Sequence, residues 1–139
     1  MSASTKLSTS VKALCYLAEA HPDAKTSSEI AKRIGVNASK LRKILSMLVK
    51  NNIVESNQGA SGGFILKKKI EDLHLQEVYC AIEDRKAFHL NVAKSKGGHL
   101  SETSKLNNFF LDLFADIQVE IEEKMKKLTL KSVLEKIEN

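Results

Sequence analysis

Asn37, Ser39, Lys40, Arg42 and Lys43 crowd into one short stretch of the chain. They bring together an amide, a hydroxyl and three cations. That mixture suits nucleic acid. Guanidinium and ammonium groups meet phosphate oxygens and the acceptor edge of guanine, while amides and hydroxyls meet other base edges. Lys67 and Lys68 follow downstream and offer phosphate contacts. The charge around these residues is one-sided. From Lys32 to Lys50 there are six basic residues and no acidic one, whereas from Glu102 to Glu123 there are six acidic residues and one lysine. The net charge of +5 over 139 residues is modest, so its placement matters more than its size.

Other chemistry is poorly supplied. No nucleophile–base pair, phosphate loop or metal-ligand spacing is visible, so an enzyme is the least favoured class. His74, His89 and His99 match no standard metal site, and neither a metal nor a cofactor is expected. Cys15 and Cys80 are too few and too distant for a disulfide framework. Cys15 lies on an apolar helix face, where a cysteine is ordinarily an inert core residue. A redox-sensor role for Cys15 is the sharper alternative, and it requires a lowered pKa and access to solvent. The N-terminal MSASTKLSTS has no apolar signal core, and no apolar run approaches the length of a membrane span. A cytoplasmic protein without membrane contact is expected.

The elements that must position the cations are legible from periodicity. Val11, Leu14, Cys15, Leu17 and Ala18 share one face of a helix over 8–20, ended by His21-Pro22-Asp23. Thr26-Ser27-Ser28-Glu29 is a capping box that opens a second helix, and Gly35 stops it. Asn37 caps a third helix. There Leu41, Ile44, Leu45 and Leu48 form the inward stripe, which turns Ser39, Lys43, Ser46 and Lys50 outward with Lys40 and Arg42 at their flanks. Ile53-Val54 and Phe64-Ile65-Leu66 are short strand candidates on either side of a Gly/Ser/Asn loop, a hairpin wing. A further helix is expected over 71–84 and a flexible loop over 85–103. A long helix over 104–127 carries Leu106, Phe110, Leu113, Ile117, Ile121 and Met125 at helical spacing, and Thr129 caps a short terminal helix. A charge run on a helix is usually only a solvated face. Here the capped helix before it and the glycine-rich hairpin after it favour DNA.

Together SVKALCYLA, SSEIAKRIGVNASKLRKILSMLVKNNIV, GASGGFIL, LQEVYCAIE and TLKSVLEKI resemble the Rrf-two family of winged-helix regulators, the family of IscR, NsrR and CymR. The resemblance covers nearly the whole chain. It implies a homodimer joined through the long helix, with Leu106, Phe110, Leu113, Ile117, Ile121 and Met125 as the dimerisation stripe. It implies base contacts from the start of the third helix, at Asn37, Ser39, Lys40, Arg42 and Lys43, and a wing residue in the minor groove. The sequence departs from the family at several points. Gln58 stands where an arginine is common, Ser8-Thr9 replace an Arg-Tyr pair but can still donate to phosphate, and Gly59-Ala60-Ser61-Gly62-Gly63 replaces GPGGG. Cluster-bearing members place three cysteines in the region of 85–110, where this chain has none, so the clusterless subgroup is the nearer match.

The expected fold is mostly α with a small β-hairpin. A winged helix-turn-helix over 1–84 leads through a loop over 85–103, a candidate effector region, to a dimerisation helix and a short terminal helix over 104–139. The expected function is a homodimeric, sequence-specific DNA-binding transcriptional regulator, in the repressor sense, on double-stranded DNA. An effector or partner protein would supply its signal. The alternative is a protein-interaction module that kept the fold and lost specific DNA reading.

Overall fold

The structure, a computed structural model, describes residues 1–83 and 88–138. The first part of the expected 85–103 loop therefore lies outside the described residues. The order is α1 (Ala3–Ala20), α2 (Ser27–Ile34), α3 (Ala38–Lys50), β1 (Val54–Asn57), β2 (Gly63–Leu66), α4 (Leu75–Ile82), α5 (Glu102–Lys126) and α6 (Leu130–Glu138). This is the expected mostly helical fold with one antiparallel hairpin.

Local chemistry sets most boundaries. α1 begins at Ala3 rather than at Ser8, because the Ser2 hydroxyl caps it by accepting from the Thr5 N–H. α2 opens on the full capping box. Thr26 Oγ1 accepts from Glu29 N at 3.1 Å, and Glu29 Oε1 accepts from Thr26 N at 3.2 Å. Gly35 closes α2 with φ 72°, a left-handed geometry that glycine adopts without a Cβ penalty. Asn37 Oδ1 caps α3, accepting from Ser39 N at 2.9 Å and Lys40 N at 3.2 Å.

Two expectations shift for tertiary reasons. Ile53 belongs to the core rather than to a strand. It is 2% exposed and its N–H bonds back to Leu48 O, finishing α3. The helix expected over 71–84 starts only at Leu75. The segment before it has other backbone partners: Leu130 N donates to Leu73 O at 2.8 Å, Lys131 N to Ile70 O at 3.1 Å, and Leu75 N to Leu128 O at 2.9 Å. Those bonds seat the start of α6 against the entry to α4. Thr129 and Ser132 then cap α6 reciprocally, each side-chain oxygen accepting from the other's N–H.

One apolar core joins these pieces. Leu14 and Leu17 of α1, Ile30 of α2, Leu41, Ile44, Leu45 and Leu48 of α3, Val54, Leu66, Leu73, Val78 and Leu130 are all buried in it. The C-terminal helix thus packs into the helix-turn-helix body through Leu130. α5, about 37 Å long at 1.5 Å per residue, leans on α4. The loop before it is tied down. Asn108 exchanges two hydrogen bonds with the Ser95 backbone at 2.9 and 3.1 Å, Lys94 pairs with Asp112 at 2.8 Å, and Phe88 stacks on Phe114 at 5.2 Å.

Leu130→Ala should therefore cost about 2–5 kcal/mol of stability in a urea titration, the usual loss for emptying a buried leucine site. Lys136→Ala, at an exposed position of the same helix, should stay within about 0.5 kcal/mol.

Candidate nucleic-acid interface

The inward stripe of α3 determines what the helix presents outward. Leu41 and Leu45 are fully buried, so Ser39, Lys40, Arg42, Lys43, Ser46 and Lys50 must face solvent, and all six are exposed. The structure brings the five residues predicted at the start of α3 together in its first two turns. Among the described residues, Lys40, Arg42, Lys43 and Lys50 make no ion pair. Cations nearby are answered: Arg33 lies 3.6 Å from Glu19 with its guanidinium over the Tyr16 ring, and Lys25 lies 3.8 Å from Glu29. α3 also has no acidic residue in its first turn. An unneutralised cationic face attracts polyanions. Asn37 is committed in part, since its Oδ1 holds two backbone N–H groups. Its amide N–H₂ stays available to a base edge.

The wing is the loop between Asn57 and Gly63, the last pair of the ladder, and it exposes Gln58 and Ser61. Its root is fixed by Lys25, a residue no sequence motif singles out. Lys25 N donates to Phe64 O at 3.0 Å and Phe64 N donates to Lys25 O at 2.7 Å. This close approach needs glycine at position 63. Gly63 has φ 140°, and a Cβ there would lie 2.6 Å from the Lys25 carbonyl.

Lys67 and Lys68, predicted as phosphate contacts, stand at the opposite end of the hairpin. The Lys67 N–H bonds to Ile53 O, just past the end of α3, about 20 Å along the axis from its start. Lys68 pairs with Glu77. Burial pushes the Glu77 carboxyl up, but the Lys68 ammonium and the His74 N–H outweigh it and hold it below the usual value. The first helix also differs from expectation. Thr9 is only 4% exposed and cannot reach phosphate, and Ser8 faces a groove between α1 and α6. The reason is the roll of α1, whose apolar face carries Thr9 inward with Ala13 and Leu17.

The predicted dimerisation stripe divides in two. Leu106, Phe110 and Leu113 are exposed, and Phe109 beside them is 59% exposed. Ile117, Ile121 and Met125 are half-buried where α5 approaches α4. The cysteines do not resemble sensors. Cys15 packs against the core, and burial pushes its thiol up. Cys80 is raised by burial and then by the carboxylate of Glu122, whose Oε1 lies 3.7 Å from its sulfur. Neither has the lowered pKa that makes a thiol reactive near neutral pH.

A capped helix-turn-helix followed by a two-stranded wing, with an unpaired cationic face on the second helix of the pair, defines a winged helix-turn-helix. Comparison with known proteins makes the assignment specific. The family described as "Rrf2: Iron-dependent Transcriptional regulator" matches residues 3–136. YwnA and YwgB of Bacillus subtilis (strain 168) each carry the name Putative HTH-type transcriptional regulator. YwnA is 31% identical over 113 residues, 81% of this chain and 84% of YwnA. YwgB is 42% identical over 60 residues, 43% of this chain, and this match spans only 38% of its length. The solved structure of T. potens IscR shares the fold, with a TM-score of 0.70 at 22% identity over 99% of this chain and 88% of that one. The chain belongs to the Rrf2 family of transcriptional regulators.

The description of that family raises the question of iron. A cluster held by thiolates needs a set of cysteines. This chain has two, one on α1 and one on α4. Among the described residues no three His, Cys, Asp or Glu side chains converge as metal ligands. The donor set does not fit a cysteine-held cluster. Among the described residues, too, no helix is long and apolar enough to cross a membrane.

Gly63→Val should dislodge the wing root and lower DNA affinity by more than about tenfold in a shift assay, through strain in the folded protein. Iodoacetamide should modify Cys15 and Cys80 more slowly at pH 7 than a free cysteine peptide; faster labelling of either would restore thiol sensing as a mechanism.

Proposed function

We propose that the protein is a homodimeric, sequence-specific DNA-binding repressor of transcription that works without an iron–sulfur cluster. The observation that carries this reading is the outward face of α3. It is cationic and hydroxylated, starts at a capped helix end and has no internal counter-charge. Two α3 helices related by a twofold axis enter major grooves on one side of the duplex, with half-site centres about 34–36 Å, or a multiple of that, apart. Lys40, Arg42 and Lys43 supply the phosphate affinity. The Asn37 amide, Ser39, Arg42 and Lys43 discriminate bases, and Gln58 and Ser61 follow the wing into the adjacent minor groove. Repression is the reading the family resemblance supports.

Dimerisation rests on two open apolar surfaces of one protomer. One is the stripe of Leu106, Phe109, Phe110 and Leu113 on α5. The other is a groove of about 920 Å³ between α1 and α6, floored by Leu7, Val11, Val133, Leu134 and Ile137. The occupant that fits the groove is the α5 stripe of a second copy, applied twice by the twofold axis. The segment from Phe88 to Ser101, fastened to α5 beside that stripe, is the candidate effector region.

A second reading is an interaction module without specific DNA recognition. It is favoured by the uncharged Gln58 and by the inward Thr9. Binding to the protein's own upstream DNA against scrambled DNA at physiological salt separates the two readings.

Lys43→Ala should weaken operator binding by about tenfold, or relax its specificity, and the affinity of the wild type should fall steeply with salt, by close to one logarithmic unit per decade for each phosphate neutralised. Unchanged affinity and specificity would remove α3 from the interface. Phe110→Asp should shift the protein from dimer to monomer in sedimentation velocity, since a carboxylate in a buried apolar contact has no partner.

A further inference from the structure

A smaller concavity lies at the base of the hairpin, where the end of α1 meets the chain between β2 and α4. Its volume is about 440 Å³, within the ~300–1,000 Å³ of small-ligand sites. The floor is apolar: Leu66 is buried, and Ala18 and Ile70 are half-buried. Around it stand Lys67, Lys68, Lys69 and His21, against one carboxylate, Glu71. These charges are unequally answered. Lys68 is paired with Glu77, and among the described residues the Lys67 ammonium reaches the neutral Asn52 Oδ1, at 3.4 Å. Lys69 and His21 have no side-chain partner among the described residues.

The place excludes the obvious polyanion. Val54↔Leu66 is the ladder pair farthest from the wing, and Asn57↔Gly63 is the pair next to it. Lys67 begins beyond the far pair, about 20 Å from the start of α3 along the helix axis. A duplex read by the start of α3 and the wing tip would meet the opposite end of the hairpin.

We propose that the concavity is a binding site for a small organic anion, a monocarboxylate with a short apolar tail. The tail lies on Ala18, Leu66 and Ile70, and the carboxylate accepts from the Lys69 ammonium, with Lys67 and the His21 ring alongside. A charge-assisted contact over an apolar floor suits such an amphiphile better than a bare inorganic ion. Its occupant touches two elements that matter elsewhere. Leu66 is the last residue of the wing strand, and the Ile70 carbonyl holds the start of α6 through Lys131 N. Occupancy therefore bears on the wing and on the α6 side of the apolar groove together.

The test needs no DNA and so is independent of the function proposed above. Backbone amide shifts of the full chain are followed during titration with sodium hexanoate, with sodium chloride at matched ionic strength, and with hexanol. Hexanoate should give saturable shifts that are largest at Ala18, His21 and the segment from Leu66 to Glu71. Lys69→Ala should weaken that binding by about tenfold, the loss of one charge-assisted hydrogen bond, while Lys105→Ala on α5 should not change it. Two outcomes overturn the proposal: hexanoate shifts no larger than those of chloride, or equal saturable binding of hexanol.

Discussion

Leu41, Ile44, Leu45 and Leu48 bind α3 to α1 and α2, and each is at most 2% exposed. Turning the helix by one residue, about 100°, would drag Arg42 or Lys40 into an apolar core, where an unpaired charge is very costly. The roll of α3 is therefore set by its buried side. Everything proposed about reading DNA depends on that, because the same roll decides which side chains point outward. The caps at Thr26 and Asn37 and the left-handed Gly35 then set where α2 begins and ends and where α3 begins.

The charge pattern acquires meaning only when it is divided by partner. Lysine and arginine are spread along the chain, but many are answered: Arg33 by Glu19, Lys25 by Glu29, Lys68 by Glu77, Lys94 by Asp112. Such surface pairs contribute little to stability. Their consequence here is electrostatic contrast. The cations of α3 are left unpaired on a helix with no acidic residue, so the positive potential is concentrated at one face.

The C-terminal part of the chain serves two surfaces. α6 returns to the helix-turn-helix core through Leu130 and the backbone bonds at Ile70, Leu73 and Leu128. α5 lies between the two attachments. Its second half leans on α4, and its first half carries exposed phenylalanines and leucines. The body that would hold DNA and the surfaces that would hold a partner are thus parts of one packed unit, held together by Leu130 and the backbone bonds at Ile70, Leu73 and Leu128.

Elements governed by local rules were legible in the amino-acid sequence. The capping box at Thr26, the stop at Gly35, the Asn37 cap, the inward and outward faces of α3, the hairpin and the long helix all follow from side chains within a turn or two of each other. The family was legible for the same reason, being carried by those motifs. Tertiary structure alone decided the rest. The late start of α4 depends on backbone bonds to residues more than fifty positions away. The burial of Thr9, the pairing of Lys68 with Glu77 and the splitting of the α5 stripe depend on which surfaces come to face each other. Lys25 as the root of the wing has no local signature at all. Periodicity specifies which side of a helix is apolar. Only packing specifies what covers it, because that choice is made between segments distant in the chain.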